Sequence, residues 1–395
     1  MYKGLYTYAW DLADEGLETV LARVRETGLN TVTLAASYHA GKFLRPHGRS
    51  GRMVFPRDGT VYFQARAERY GRIQPLVNPL VQEFDGFAEL QRAAPEIQRV
   101  GWVVCLHNTA LGERHPEYAA RNAFGDPFVY SLCPAHPEVR AFVVNLCSDL
   151  ATRHDLAGLA LETPGWLPFD HGFHHEFAMV PLDPWARTLL GLDFADATRR
   201  AARAAGIDAD RLQARARELL ERWFAADFAV PEAMAREWWL ADVIADPEWA
   251  AFLHWRCKVV AELVGQVRAA LPQDTRLAVI PTVQRPSAGA WVEGSDLALL
   301  ARAADVLEIP AYHASAGEAL IDAWDVRRRV GDGLPLHAVL RPTHPDLANG
   351  RETGLALRRL VDEIKITGVA FYNYGHMRLG GLRHAKAALD ALGAS

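Results

Sequence analysis

The sequence has little of what marks several specialised classes of protein. It contains four cysteines in 395 residues, and none of them forms a CxxC pair. Their scattered positions favour reduced thiols over a disulfide framework or a cysteine-based zinc site; they are Cys105, Cys133, Cys147 and Cys257. The formal charge of −5 gives no sign of a nucleic-acid partner or of a charged membrane surface.

Long apolar segments are also missing. No window approaches the roughly 18 consecutive apolar residues of a membrane-spanning helix. The opening residues, MYKGLYTYAW, lack the apolar region of a secretory signal peptide. We therefore expect a cytoplasmic protein with no membrane partner. Because 50% of the residues are hydrophobic, the chain can form a sizeable core.

Nucleotide-binding loops are a third absence. The sequence has no Walker loop, and the segment YTYAWDLADEG at the first strand carries no glycine-rich phosphate turn. An open doubly wound sheet usually shows such a turn after its first strand. We therefore expect neither that fold nor a cofactor.

What the sequence does contain is a regular alternation of strands and helices. Strands are predicted over residues 4–9, 31–36, 100–106, 156–162, 276–281, 306–311, 336–340 and 368–372. A helical pattern follows each strand, as over 15–27, where Leu17, Val20, Leu21 and Val24 recur at helical spacing. Eight strand–helix units in this order predict an α/β fold of the closed (β/α)₈ TIM-barrel type, formed as one catalytic domain over 1–395.

Two segments interrupt the alternation. Residues 40–85 form a long loop after strand two, in which MVFPRDGTVYF predicts a β-hairpin about an Asp-Gly turn. Residues 167–246 contain no good strand, and helices are predicted over 184–205, 209–226 and 231–244. We interpret this second segment as a helical insertion or lid after strand four.

Active sites of such barrels lie at the carboxyl ends of the strands. The residues expected there are rich in aromatic rings, amides, histidine and arginine, a composition that suits a small carbohydrate substrate, because aromatic faces stack on sugar rings. The predicted substrate-binding residues are Tyr6, Tyr8, Trp10, Tyr38, His39, His107, Asn108, Trp166, Gln284, Arg285, Tyr312, His313, Arg341, His344, Tyr372, Asn373, Tyr374 and His376.

Two carboxylates are candidates for catalysis. Glu162 ends strand four in LAGLALETPGW, and Glu308 lies in strand six in ADVLEIPAYH. Hydrolysis of a glycosidic bond needs two carboxyl groups that flank the bond. Either could instead be a structural carboxylate, and Glu308, which lies inside its strand, could belong to a lower buried layer. The reserve carboxylates are Asp11, Asp170, Glu176 and Asp346.

In these features the chain resembles the (β/α)₈ glycoside hydrolases, and glycosidase-like barrels with an aromatic last strand, here GVAFYNYGHM. The glycosidases with catalytic glutamates on strands four and seven usually have Asn before the first glutamate. This chain departs from them, because it has Leu161 there and no glutamate in LRPTHPD. Another set has its carboxylates on strands four and six, and that resemblance implies Glu162 as nucleophile and Glu308 as acid/base.

Three functions follow as hypotheses. The first is a glycosidase acting on an oligosaccharide or glycoside, with no metal. The second is a metal-dependent hydrolase or isomerase barrel that uses His107, His171, His174 or His175, the last three from HGFHHE. The third is a carbohydrate-binding barrel without catalysis. The sugar, its linkage and the oligomeric state are not predicted by the sequence.

Overall fold

The structure is a computed structural model that describes residues 1–173, 176–177 and 179–393. Eight parallel strands close into a barrel, because the first strand pairs with both the second and the last. The barrel strands are β1 Tyr2–Thr7, β2 Thr31–Tyr38, β3 Gln98–Val104, β4 Gly158–Glu162, β5 Arg276–Val279, β6 Val306–Pro310, β7 Leu336–Leu340 and β8 Gly368–Phe371. The predicted (β/α)₈ barrel is confirmed.

Helices surround the barrel and fill the insertions. In the described part of the chain they are α1 Ala9–Glu15, α2 Leu17–Thr27, α3 Leu80–Glu83, α4 Gly86–Ala93, α5 Thr109–Arg114, α6 Pro137–Arg153, α7 Pro184–Leu190, α8 Asp196–Ala204, α9 Ala209–Phe224, α10 Glu232–Ala245, α11 Pro247–Ala270, α12 Leu297–Ala303, α13 Ala316–Val330, α14 Gly350–Ile364 and α15 Leu379–Gly393. None of these helices has the length and apolar character needed to cross a membrane.

Several outer helices begin where a short polar side chain caps them. The carboxylate of Asp85 accepts hydrogen bonds at the start of α4, and Ser315 and Asn349 do the same for α13 and α14. Such caps satisfy amide groups that have no partner within the helix. They fix where each helix leaves the barrel loops, and so they hold the carboxyl ends of the strands in position.

Small residues make room for an aromatic ring at the amino-terminal end of the barrel. The Tyr2 ring stacks on His337 with 4.4 Å between the ring centroids, and its hydroxyl lies 2.8 Å from Thr33 Oγ1. A Cβ at Gly368 would come within 2.5 Å of the His337 ring, so glycine is required there. This packing closes the end of the barrel opposite the carboxyl ends of the strands.

The β-hairpin predicted about Asp58 and Gly59 does not form, because the segments on either side of this turn pair with other strands. The strand Met53–Val54 pairs with Phe43–Leu44, whereas Thr60–Val61 joins the barrel sheet beside β2. Asp58 accepts hydrogen bonds from the amides of Ala40 and Ala110, each at 2.8 Å. These tertiary contacts direct the chain after the turn onto β2.

A buried arginine connects the long loop after β2 to the barrel through ion pairs. Arg45, with 4% of its side chain exposed, places Nε 2.8 Å from Asp11 Oδ1 and Nη1 2.9 Å from Asp14 Oδ2. Burial raises the pKa of Asp11 to about 6, and Arg45 offsets part of that effect. Asp11, a reserve catalytic residue in the sequence, therefore has a structural partner.

The insertion after β4 is helical, but its first predicted helix is divided. α7 ends before Gly191 and α8 begins after Ala195. Between them lies Asp193, whose Oδ1 accepts the amides of Arg121 and Ala195, each at 2.8 Å. A continuous helix over 184–205 could not place this carboxylate against the loop after β3, where Arg121 lies.

Asp193 also joins the insertion to the barrel. Its Oδ2 accepts the indole N–H of Trp166 at 2.8 Å and the hydroxyl of Thr198. The thiol of Cys133, one of four free and buried cysteines, lies 3.2 Å from the same oxygen. One buried carboxylate therefore connects the loop after β4, the loop after β3 and α8.

Replacing Asp193 with alanine should lower the free energy of unfolding by about 3–5 kcal/mol, because several buried donors lose their acceptor. Urea denaturation followed by tryptophan fluorescence measures this change. The control is Asp196→Ala, since Asp196 is exposed and its loss should cost about 0.5 kcal/mol or less. Equal effects of the two substitutions would contradict a structural role for Asp193.

Candidate active site

An aromatic layer lies beneath the carboxyl ends of the strands, and Trp102 of β3 is at its centre. Its ring centroid is 5.0 Å from those of Tyr6 and Tyr38, 5.5 Å from Tyr8 and 5.9 Å from Tyr372. The Tyr8 hydroxyl donates to that of Tyr38 at 2.9 Å. Edge-to-face ring contacts and this hydrogen bond give the site a rigid floor.

Glu162 contacts this aromatic layer through Trp102. The indole N–H of Trp102 donates a hydrogen bond to Glu162 Oε2 at 2.6 Å. Burial raises the pKa of Glu162 to about 7, and the hydrogen bond from Trp102 offsets part of the rise. Glu162 as a whole residue keeps partial solvent exposure, and a pKa of about 7 means that both protonation states are populated near neutral pH.

The backbone turns sharply directly after Glu162. Thr163 has a φ of 51°, in the left-handed region that a β-branched residue rarely adopts. The carbonyl groups of Glu162 and Thr163 nevertheless accept the amides of Cys105 and Leu106. A strained residue of this kind costs roughly 1–3 kcal/mol and is frequent at functional sites. The strain fixes the direction in which the chain leaves the Glu162 position.

Glu308 faces the same interior from a deeper position. Ala160 pairs with Ala278, and Ala278 pairs with Val306. Two residues further along their strands, Glu162 and Glu308 therefore point to the same side of the sheet. Glu308 is only 1% exposed, so the lower buried layer considered from the sequence describes its position.

The carboxyl group of Glu308 is poorly satisfied. Its Oε1 has no hydrogen-bond partner among the described residues. Burial raises the pKa of Glu308 to about 7, while the neighbouring Tyr6 hydroxyl lowers it. The charges of Glu308 and, more weakly, Glu162 both raise the pKa of Tyr6. The Tyr6 hydroxyl thus lies within electrostatic reach of both predicted carboxylates.

Glu293 is a third carboxyl group at this end of the barrel, and sequence reasoning missed it. It ends a short 3-10 helix, Ser287–Glu293, in the loop after β5 rather than at a strand end. Its Oε1 accepts the Thr282 hydroxyl at 2.5 Å and the Val283 amide at 2.9 Å. Burial raises the pKa of Glu293 to about 8, and the charge of Glu162 adds to the rise.

Two aromatic residues predicted to bind substrate are packing residues instead. Trp166 is 1% exposed, with its N–H on Asp193 and the Arg256 guanidinium 4.5 Å from its ring centroid. Tyr374 is fully buried, and its hydroxyl donates to Glu15 Oε2 at 2.9 Å. Neither ring has a free face for a sugar, because tertiary contacts cover both.

Other predicted contacts lie below the opening. The buried members of the set are Tyr6, Tyr8, Tyr38, His107, Asn108 and Asn373. Asn108 caps α5 by accepting the Leu111 amide at 2.9 Å, and its Nδ2 donates to the Gly59 carbonyl. Gly59 has a φ of 61° and no room for a Cβ beside Asn108, so this asparagine fixes a turn.

The remaining predicted contacts stay partly or fully exposed where the strands end. They are Trp10, His39, Gln284, Arg285, Tyr312, His313, Arg341, His344, Tyr372 and His376. Within this set, Arg341 lies over the Tyr312 ring, and His313 Nε2 lies 2.9 Å from the buried Asp322. The structure therefore brings together the aromatic and polar residues from both halves of the chain.

Three histidines form a row at the ends of β2, β3 and β4. The ring centroids of His39 and His107 are 4.0 Å apart, and those of His107 and His171 are 5.3 Å apart. Burial lowers the pKa of His107 to about 2 and that of His171 to about 4. No group of three or more His, Cys, Asp or Glu among the described residues is arranged to hold a metal ion. His174 and His175 lie outside the described residues.

The remaining reserve carboxylates lie near the surface. Asp170 forms an ion pair with Arg187 of the insertion, and Asp346 Oδ2 lies 3.2 Å from Arg341 Nη1. Glu176 is exposed. The two aspartates thus have arginine partners.

A cleft of about 650 Å³ separates the helical insertion from the loop after β5. Gln284 and Arg285 belong to its wall, as does a pair of parallel indole rings, Trp239 and Trp291, whose centroids are 6.0 Å apart. Arg187 and Glu232 add charged groups. The cleft therefore continues outward from residues that already belong to the strand ends.

No protein-family model matches the sequence, and a search of curated proteins gives no significant match. Solved structures do match the fold. The glycoside hydrolase domain of PgaB (BpsB) from Bordetella bronchiseptica has a TM-score of 0.60 at 12% identity, and the match covers 94% of each chain. These neighbours are glycoside hydrolases.

Two more distant neighbours have lower scores. The GH20 exo-β-N-acetylglucosaminidase of Vibrio harveyi has a TM-score of 0.45 at 12% identity, with 98% of this chain and 53% of that chain covered. A chitinase of Chromobacterium violaceum has a TM-score of 0.41 at 12% identity, with 98% of both chains covered. At 12% identity, the likeness to the PgaB domain, which covers 94% of each chain, establishes the barrel fold alone.

Replacing Trp102 with phenylalanine should raise the pKa of Glu162, because the hydrogen bond that favours the ionised carboxylate is lost. Loss of a hydrogen bond to a charged group should lower the acid dissociation constant by roughly tenfold. Carbon NMR of labelled glutamate, assigned with Glu162→Gln, measures the titration. Trp249→Phe, a change at a buried tryptophan of the insertion, should leave it unchanged. An unaltered titration in Trp102→Phe contradicts the hydrogen bond.

Replacing Glu308 with glutamine should change how stability depends on pH. The folded pKa of about 7 exceeds the ordinary value of 4.5, so the wild type loses stability as pH rises through this window. The variant lacks that loss. Its stability relative to wild type should therefore increase by roughly 1–3 kcal/mol from pH 5 to pH 8.

Urea denaturation at several pH values tests this expectation for Glu308. The control is Glu318→Gln at an exposed glutamate of α13, whose curve should stay parallel to wild type. A parallel curve for Glu308→Gln as well would show that this carboxyl group does not titrate with a raised pKa.

Proposed function

We propose that the protein is a glycoside hydrolase whose active site is the carboxyl end of the barrel. The position of Glu162 carries this proposal. Its carboxyl group is reachable, is held by Trp102 at 2.6 Å and has a pKa raised to about 7. A raised pKa keeps a carboxyl group protonated near neutral pH, as a general acid requires.

The surroundings of Glu162 support a carbohydrate substrate. Partly exposed rings of Trp10 and Tyr372 offer faces for sugar rings, and Gln284 and Arg341 offer hydrogen-bonding groups for hydroxyls. The outward cleft of about 650 Å³ has room for further sugar units. The likeness to the PgaB glycoside hydrolase domain adds support from the fold alone. An oligosaccharide is therefore the proposed substrate.

In the proposed mechanism, Glu162 protonates the glycosidic oxygen as the bond breaks. The N–H of Trp102 then stabilises the carboxylate that remains. Glu308 is the proposed second carboxylate: its ionised oxygen bonds to the anomeric carbon as the leaving group departs with the proton from Glu162, and this requires a sugar to enter to the level of Tyr6. A water molecule deprotonated by Glu162 then displaces Glu308 and releases the sugar. This assignment reverses the roles implied by the resemblance, because Glu162 is the more accessible of the two. Since both pKa values lie at about 7, one ionised and one protonated group coexist mainly near neutral pH.

Replacing Glu162 with glutamine should leave the fold intact and reduce hydrolysis by at least about 100-fold, because no proton donor remains. An oligosaccharide panel, with release of reducing ends as the readout, measures the loss. Glu117→Gln at an exposed glutamate is the matched control and should behave like wild type.

Azide can then distinguish the roles of the two glutamates. On an aryl glycoside whose leaving group needs no proton, a Glu162→Gln enzyme that lacks only its acid/base should be rescued by azide and release a glycosyl azide of retained configuration. Near-normal hydrolysis by Glu162→Gln would overturn the assignment. A wild-type protein that binds oligosaccharides but cleaves none would support the binding-barrel alternative instead.

A further inference from the structure

Two arginines from different barrel loops meet over one aromatic ring. The Cζ atom of Arg341, directly after β7, lies 3.9 Å from the Tyr312 ring centroid. That of Arg285, in the loop after β5, lies 5.3 Å from the same centroid. Tyr312 itself follows β6. Three successive strands therefore place two guanidinium groups together at the opening.

These guanidinium groups have few partners. Among the residues that the structure describes, Arg341 has one ion pair, with Asp346 at 3.2 Å. In the part of the chain that the structure describes, Arg285 makes one hydrogen bond, to the Val283 carbonyl at 3.4 Å, and no ion pair. Each guanidinium carries five N–H donors, so most of them are available to a ligand.

Asp322, one of the acids whose charge acts on Arg285, is already occupied. Asp322 accepts the amide of Ser287 at 2.8 Å and its hydroxyl at 3.0 Å, and His313 Nε2 lies 2.9 Å away. These contacts use both carboxylate oxygens. Asp322 therefore stabilises the loop after β5 and leaves the charge of Arg285 largely unpaired.

The two arginines produce a positive potential at the opening. Burial lowers the pKa of Arg285, and the charge of Arg341 lowers it further. Burial together with Arg341 also lowers the pKa of His376 to about 4. This potential lies in a protein whose net charge is −5. A local excess of the opposite sign indicates selection for an anionic ligand.

We propose that Arg285 and Arg341 form an anion-binding subsite, so that the substrate is a glycan bearing carboxylate, sulfate or phosphate groups. That this ligand is a substrate rests on the proposed hydrolase function, whereas the preference of the subsite for an anion does not. Arginine suits this task, since its planar fork matches the oxygens of all three groups. Arg341 Cζ also lies 5.5 Å from the centroid of Tyr372, whose ring packs against Trp102, the donor to Glu162, so the subsite and Glu162 share one aromatic layer.

The test compares four sugars as probes: glucose, glucuronate, glucose 6-sulfate and glucose 6-phosphate. NMR titration of the full-length Glu162→Gln protein measures binding without turnover. At least one anionic probe should bind about tenfold more tightly than glucose, and added salt should weaken that preference. Which probe gains most distinguishes a carboxylate from a sulfate or phosphate ester.

Arginine variants locate the effect. Arg285→Gln and Arg341→Gln should each lower the affinity for the anionic probe by about tenfold. The affinity for glucose should fall much less, because the glutamine amide still donates hydrogen bonds to hydroxyls and only the charge is lost. Arg92→Gln, at an arginine 72% exposed on α4, is the matched control and should change neither. If Arg341→Gln does not fold, Arg341→Lys keeps the charge and Arg285→Gln still tests the site.

Equal binding of glucose and all anionic probes overturns the inference. An anionic preference that persists when both arginines are replaced overturns it as well. Hydrolysis of neutral oligosaccharides without any anionic preference overturns it while leaving the hydrolase function standing. An arginine-dependent anionic preference without hydrolysis of any glycan supports the subsite and removes the hydrolase function instead.

Discussion

The hydrogen bond from Trp102 to Glu162 is the interaction on which the opening of the barrel depends. Trp102 is 1% exposed and packs against tyrosines from β1, β2 and β8, so its N–H has a fixed direction. A donor fixed in this way needs no reorganisation when charge develops on its acceptor. Because the indole is large, it also keeps water away from one side of the carboxyl group. Trp102 therefore positions the carboxyl group, and its hydrogen bond offsets part of the rise in pKa that burial causes.

Burial of carboxyl groups is the second constraint. Glu162, Glu293 and Glu308 all have raised pKa values, and burial is the main cause for each. They differ in their partners within the described part of the chain, because the Glu293 side chain accepts two hydrogen bonds there while one oxygen of Glu308 accepts none. Glu293 thus fixes a loop. The unsatisfied buried oxygen of Glu308 lowers stability and fixes no loop in exchange. A buried polar group of this kind is expected of a residue that has a function.

The sequence predicts the barrel well, because its signal is local. Strands buried on both sides and amphipathic helices follow one another with spacings that a single chain displays. The ends of the strands can also be recognised from the local sequence, and this places Glu162, Arg285 and Arg341 at the opening. The expectation that Trp166 and Tyr374 bind substrate disagrees with the structure, because residues distant in the sequence cover their rings. Trp102 and Glu293 were missed because one lies inside a strand and the other in a short helix, where no local pattern reveals what the side chain contacts.

The distribution of charge across the opening joins these features. Neutral imidazoles occupy the ends of β2 to β4, carboxyl groups that are protonated below about pH 7 lie beneath, and arginines occupy the ends of β5 and β7. Arg341 lies 5.5 Å from the Tyr372 ring, which packs against Trp102, the donor to Glu162, so an anion held by the arginines would add negative charge to the same end of the barrel. It would disfavour ionisation of that carboxyl group and so hold the proton that a general acid must donate. Recognition of a charged sugar and preparation of the acid would then be two effects of the same binding event.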